Sequence, residues 1–460
     1  LGSYRRAGRL AEPPVAVRPP ECPREDMDEC SPKTARLIAM TLDKQYAAIL
    51  PEALALLANT ERRLPAFLLP ELLDAGRRSR DIRSAIQKVA GRRGAWLAGQ
   101  NPEWSYLASE DDNRTWTEGT AAARLSYYIQ IRSTSAEQAR TLLAETWTQE
   151  GAGDRAAFLT AWEDNLTAED EPFLESALDD RSKEVRKTAV LLLIRLPSSN
   201  LVQRTISRAE PLLSIHKPLL GKARLEVAPP AGCDAAAERD GVEVKPPQGE
   251  GEKAFWLRQI VASAPLEFWT GKLGRSAPEL VALARGSDWA SPLLIGWRQA
   301  ARRSRDKDWL VALIHDALEN DPAAASTVPE LASRLSAPDF EALLGPIIAG
   351  VPMSDKHPAL ALTPRHPSGW SLEFARSMAK AIVAGILQDQ TGRMNWWSYT
   401  NLLSEMGRHA PPHFAGEFQA LWPEEHPTRG QWGRYADETA QTLTFRNALH
   451  TAISEENTPL

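Results

Sequence analysis

An all-α fold, laid out as a run of helical hairpins in two parts, is what this sequence predicts. Three observations carry the expectation. Leu178–Leu196 reads LDDRSKEVRKTAVLLLIRL, an acidic turn followed by an apolar stripe at helical spacing. Apolar residues elsewhere recur at three- and four-residue steps, broken by Pro, Gly or Asp turns about every 15 to 25 residues. The first half holds no alternating pattern of useful strand length.

Taken in order, residues 1–33 are rich in Pro, Arg and Glu and poor in apolar periodicity, which predicts a disordered tail. The opening LGSYRRAGRLAEPP has no apolar run after its basic residues, so no secretory signal is expected there. Residues 34–225 then read as an N-terminal helical-repeat domain. Thr34 to Leu57 suits two helices with Pro51 as the break between them. In the next stretch Ser79 is the expected cap of a helix burying Ile82, Ile86 and Val89, with Gly91 as its stop. Asn101 to Trp104 marks a turn, and an acidic loop follows at Ser109 to Asn113. Thr120 to Ile131 and Ala136 to Thr148 predict two further helices, the second burying Leu142, Leu143 and Trp147.

The hairpin Glu171 to Leu196 is the most recognisable unit. Val185, Ala189, Leu192 and Leu193 form one stripe, and Val190, Leu191 and Ile194 widen it. A helix apolar on more than one side is expected between neighbours in a stack, which is the pattern of a HEAT-like repeat.

Residues 226–253 are Pro, Gly and charge, with few large apolar residues, and predict a linker or long loop. Val242 to Lys245 is the one place in it with the look of a short strand. Helical texture resumes at Phe255 and runs to about Ile453, giving a C-terminal helical-repeat domain over 254–460 and about fifteen helices in all. The fold expected is therefore an α-solenoid of degenerate HEAT-like hairpins.

Bulk properties narrow the function. A net charge of −6 gives no overall attraction to nucleic acid or to anionic lipid. No apolar run approaches the ~20 residues of a membrane span. Three cysteines, Cys22, Cys30 and Cys233, with no CxxC pair, fit a reducing cytoplasm better than a disulfide framework. The fifteen tryptophans are expected to fill gaps between hairpins.

Candidate chemistry is sparse. The chain has no GxSxG, no phosphate-binding GxxxxGK[ST] and no glycine fingerprint after a strand. His409 and His413 lie four apart with Glu405 upstream, but Pro411 and Pro412 prevent one helix from carrying both histidines. Neither a metal nor an organic cofactor is expected, and no catalytic residue is assigned.

The remaining candidate is charge. Between Glu61 and Arg93 stand nine basic residues against four acidic ones. Arg77, Arg78, Arg80, Arg83, Arg92 and Arg93 are the candidate binding residues, for nucleic acid or an acidic partner. A solvated outer face is the plainer reading, because aromatics are not interleaved as stacking platforms. A second basic cluster is Arg298, Arg302, Arg303, Arg305 and Lys307. Glu163 to Glu184 is strongly acidic, and this separation of sign could orient a charged protein partner.

Three stretches carry a resemblance: PELLDAGRRSR, GRRGAWLAGQNPEW and EPFLESALDDRSKEVRKTAVLLLIRLP. They resemble an uncharacterised bacterial family of HEAT-like helical proteins over Ala35 to about Ile453, the 226–253 insert being variable. Members of that family tend to be encoded beside a MoxR-type AAA+ ATPase, a von Willebrand factor A-domain protein and a SWIM zinc-finger protein. The resemblance implies a non-enzymatic interaction scaffold or adaptor with the ATPase and A-domain proteins as partners. It supplies no catalytic residue. The alternative expectation is nucleic-acid binding through Arg77 to Arg93.

Overall fold

The computed structural model describes residues 21–107, 113–219, 221–350, 353–354, 357–367, 369–388 and 396–456. Residues 1–20 of the expected tail and most of the expected acidic loop at Ser109 to Asn113 lie outside them. The described residues form 25 α-helices, short 3-10 turns and one two-stranded sheet, so the fold is all-α. The helices outnumber the sequence estimate because many are short. For example, the stretch expected as one helix from Phe255 forms two, Glu252–Ser263 and Leu266–Leu273, divided at Ala264-Pro265.

The chain forms two compact units. One comprises residues 1–111, 390–392 and 403–460, and the other residues 112–389 and 393–402. These bounds differ from the sequence-based division at 225 and 254, because the C-terminal helix Arg429–Glu456 packs on Pro32–Leu42 and Leu50–Leu57.

In the first unit, Pro51 is no break. It occupies the first turn of Leu50–Leu57, where its missing N–H costs nothing. Tyr46 stacks on Phe445 with ring centroids 4.0 Å apart. At the chain ends Lys33 pairs with Glu455 at 2.8 Å, and the Ser31 amide and Thr34 hydroxyl both donate to Glu456. Ile82, Ile86 and Val89 are buried as expected. The helix that carries the last two is Arg83–Val89, and Ser79 instead ends the preceding helix Leu69–Arg78. Gly91 adopts a left-handed φ of 65° at the junction with Gly91–Gln100, a helix the sequence reading missed.

In the second unit, helices pack on near neighbours in sequence, the arrangement of a helical-repeat array. Ala121–Thr134 packs on Ala136–Thr146, and both Ala152–Thr160 and Glu171–Ala177 pack on Lys183–Leu193. Further along, Glu252–Ser263 lies on Ala290–Ala301, and Ala337–Gly350 on Leu372–Gln388. Val185, Ala189, Leu192 and Leu193 are fully buried, whereas Leu191 faces solvent, so the stripe is narrower than its sequence. Trp162, Trp269, Trp297 and Trp309 are completely buried; the Trp297 and Trp309 rings sit 5.0 Å apart.

The sheet pairs Leu213–His216 with Arg224–Val227, Leu213 opposite Val227. Each strand has four residues, too few for a visible alternation. Val242 to Lys245 forms no strand, since its backbone is engaged by helix Glu252–Ser263. The Trp256 indole donates to the Val244 carbonyl, and Gln259 exchanges two hydrogen bonds with the backbone of Glu243. Residues 226–253, expected as a linker or loop, lie inside this unit. They contribute the last two residues of the second strand, the short helix Ala235–Arg239 and the buried Asp240. Gly241 lies against Val190, so close that a Cβ there would meet its methyls at 2.9 Å.

Candidate interaction surface

The six arginines singled out in the sequence are distributed among three environments, all in the first unit. Arg77 and Arg78 end the helix Leu69–Arg78, where the negative end of the helix dipole favours cations. Arg77 lies 3.6 Å from Glu103 and 3.9 Å from Asp74, with 46 % of its side chain exposed. Arg78 and Arg80 are exposed, and no ion pair of either is seen among the described residues. This is the solvated part of the cluster.

Arg83 turns inward. Its Nε donates to the Gly76 carbonyl at 2.8 Å, and its guanidinium sits 4.6 Å from the centre of the Tyr106 ring. Burial pushes the Tyr106 phenol up to about 12. Its hydroxyl donates to the Leu73 carbonyl, and Gly76 is obligatory beneath it, since a Cβ there would lie 2.2 Å from Tyr106 Oη. Arg83 therefore fixes a helix end.

Arg92 and Arg93 begin the helix Gly91–Gln100, and a segment of the expected tail lies on them. The carboxylate of Glu25 accepts from the Arg92 amide at 2.8 Å and the Arg93 amide at 3.0 Å, capping the positive end of that helix. Asp26 pairs with the Arg92 guanidinium at 2.9 Å, Asp28 with Arg62 at 3.0 Å and Glu29 with Arg63 at 2.9 Å. Backbone bonds accompany these pairs. The Arg63 amide donates to the Asp28 carbonyl and the Cys30 amide to the Arg63 carbonyl, as in a short piece of parallel sheet. The sequence did carry a signal for this strap, the run Glu25-Asp26-Met27-Asp28-Glu29 set against two Arg-Arg pairs. Without apolar periodicity it reads as a tail.

The other charged stretches are largely consumed by internal pairing in the second unit. Arg298 is buried and bonds Asp316 at 2.6 Å and Asp321 at 2.8 Å. Arg302 pairs with Glu330, Lys307 with Asp339, and Arg303 donates to the Ala262 and Gln299 carbonyls. Only Arg305 of that cluster is exposed with no ion pair seen among the described residues. In the acidic stretch, Asp170 is fully buried between Arg132 and Arg140. Glu175 and Asp179 hold Arg239, and Asp180 holds Arg155. Burial opposes the charge on Asp170, but hydrogen bonds from Arg132, the Thr167 amide and Arg140 more than offset it and keep it below the usual carboxylate range. Four acids of this stretch, Asp170, Glu175, Asp179 and Asp180, thus belong to an arginine–carboxylate framework, while Glu163, Asp164, Glu169 and Glu184 are exposed.

The histidine candidates lie on different elements, His409 at the end of Trp396–His409 and His413 in the short turn Pro412–Phe414. Helix Trp396–His409 ends before Pro411, and His409 Nε2 lies 3.1 Å from Glu405, which also accepts from Arg408. No group of three His, Cys, Asp or Glu side chains placed to hold a metal occurs among the described residues. No described helix is long and apolar enough to cross a membrane.

An all-α fold whose helices pack on near neighbours in sequence defines the class of this protein. The chain belongs to the family described as "Family of unknown function (DUF5691)", which it matches over residues 1–453. No curated protein and no solved structure matches it.

Proposed function

We propose that the protein is a non-enzymatic interaction scaffold or adaptor, working in the cytoplasm with a MoxR-type AAA+ ATPase and a von Willebrand factor A-domain protein. The observation that carries the reading is the contrast in how arginines are used. In the second unit several are locked to buried carboxylates, among them Arg132 on Asp170 and Arg298 on Asp316, whereas Arg77, Arg78 and Arg80 stand outward in the first unit, which also holds the strap-paired Arg62, Arg63 and Arg92. Exposed charge with no internal role sets partner choice and encounter rate more than stability. Native co-purification tests the proposal: stoichiometric recovery of the ATPase or the A-domain protein is expected, and recovery of the chain without a protein partner overturns it.

Exposure of Arg78 and Arg80 also favours a second reading, binding of nucleic acid by phosphate contacts. Affinity for generic duplex should then fall steeply between about 50 and 200 mM salt. Absence of binding at the lower salt ends that reading.

A further inference from the structure

The strap formed by Glu25 to Glu29 has the features of a bound ligand that happens to belong to the same chain. Its carboxylates are matched one by one. Glu25 takes the two helix-start amides, Asp26 takes Arg92, Asp28 takes Arg62 and Glu29 takes Arg63. Between these contacts the backbone of Arg63 supplies an N–H and a C=O, which take the Asp28 carbonyl and the Cys30 amide of an extended segment.

The grip of this strap is graded. Cys30 is buried and anchors its C-terminal end. Asp28, Asp26 and Glu29 keep 87, 55 and 48 % of their side chains exposed, and pairs that open to water contribute little to stability. The segment before Cys30 is therefore held by complementarity without strong attachment, as an exchangeable occupant is.

We propose that the surface beneath the strap is a binding site for an extended acidic segment of a partner protein, which displaces Glu25–Glu29. The inference rests on the scaffold reading and specifies the chemistry of the partner. Displacing Glu25–Glu29 frees the Arg63 N–H that Asp28 had engaged, and together with the strand-like spacing of the arginines this suits the carbonyls and side chains of an extended polypeptide. The two amides opening helix Gly91–Gln100 demand a carboxylate at one end of the segment, and Arg92, Arg62 and Arg63 demand further carboxylates along it.

The test uses the full chain and a fluorescent peptide copying residues 21–30, followed by anisotropy at low salt. The quadruple variant E25Q/D26N/D28N/E29Q, shown to be folded by circular dichroism, should bind the peptide at least ~10-fold more tightly than the unaltered chain, once the competing pairs are gone. The single variant E25Q, which leaves the other pairs in place, should show a smaller gain of the same sign and serves alone if the quadruple variant fails to fold. Adding R62A/R63A/R92A should abolish the gain, and a peptide with Gln and Asn in place of the acids should not bind. Equal binding by variant and unaltered chain overturns the proposal, as does a gain seen only for duplex DNA. Because the probe is synthetic, a negative result here leaves the co-purification test of the scaffold reading standing, and the reverse also holds.

Discussion

Arg446, on the last helix, holds Glu52, on Leu50–Leu57, through hydrogen bonds of 2.7 and 2.8 Å. The same guanidinium donates to the Gly407 and Ala410 carbonyls at the end of Trp396–His409, and His450 adds a third contact to Glu52 at 2.8 Å. One buried cation thus joins the last helix, Leu50–Leu57 and the C-terminal end of Trp396–His409 within the first unit. Removing it strands a partly buried carboxylate and two carbonyls. The variant R446M should lose about 2 to 4 kcal/mol, read from urea unfolding, since breaking one side of such a pair costs more than the pair contributes.

The same site predicts a pH dependence. Burial pushes the Glu52 carboxyl up, but hydrogen bonds from His450 and Arg446 outweigh it and hold the group at about 2. A lowered folded-state value means that its stabilisation is present above the ordinary carboxylate range and is lost as pH falls from about 4.5 toward 2. A shift of this size corresponds to ~3 kcal/mol, and partial exposure reduces that to ~2. E52Q should therefore melt lower than the unaltered chain at pH 7, and the gap should close by pH 2 to 3. A gap that is constant with pH would rule this out.

Asp170 is the corresponding point in the second unit. Fully buried, it accepts from Arg132 and Arg140 and caps its own turn through the Thr167 amide. Arg132 also lies over the Trp162 ring at 4.5 Å, and the Trp162 indole donates to Tyr128. D170A should cost about 3 to 5 kcal/mol, the scale for leaving a buried guanidinium uncompensated. A smaller loss in D170N, which keeps an acceptor oxygen, checks that the charge is the cause.

Glycine positions offer a paired test of packing. A Cβ on Gly296 would lie 2.8 Å from a Val261 methyl and 2.9 Å from the Arg258 carbonyl, where Ala290–Ala301 packs on Glu252–Ser263. G296A should destabilise by about 1 to 3 kcal/mol, with V261A recovering only part of the loss, since the carbonyl cannot retreat. Gly271, within Leu266–Leu273, has no atom within 4 Å of such a Cβ. G271A should therefore stabilise by about 0.5 to 1 kcal/mol through helix propensity alone. Thermal melts of both variants decide the matter.

What could be read from the sequence follows the range of the interactions concerned. The stripe Val185, Ala189, Leu192 and Leu193 is local and periodic. The contact of Glu52 with Arg446 spans 394 positions, and no periodicity reports on it. Arg83 and Arg93 are alike in sequence, yet one side chain packs on a tyrosine and the other lies exposed. A cation's role depends on which carboxylate or ring folding brings to it. The strap was hidden for a related reason. Its order comes from pairing with Arg62, Arg63 and Arg92, and polar pairing leaves no apolar signature.

Cysteine reactivity reports on that strap directly. Cys30 is buried where the strap meets the body, and burial, with Glu456 and Glu29 nearby, pushes its thiol up to about 12. Thiolate is the reacting species, so Cys30 should resist a thiol reagent in the native chain. Cys22 and Cys233 are only partly covered and should label first. Two thiols are thus expected to react before the third, although burial, Asp234 and Glu238 push the Cys233 thiol up and slow it. In E25Q/D26N/D28N/E29Q the strap loses its side-chain pairs, and the third thiol should label at least several-fold faster at unchanged melting temperature. Equal rates in the two proteins would mean that Cys30 is shielded by the helices alone and that the strap does not open ahead of it.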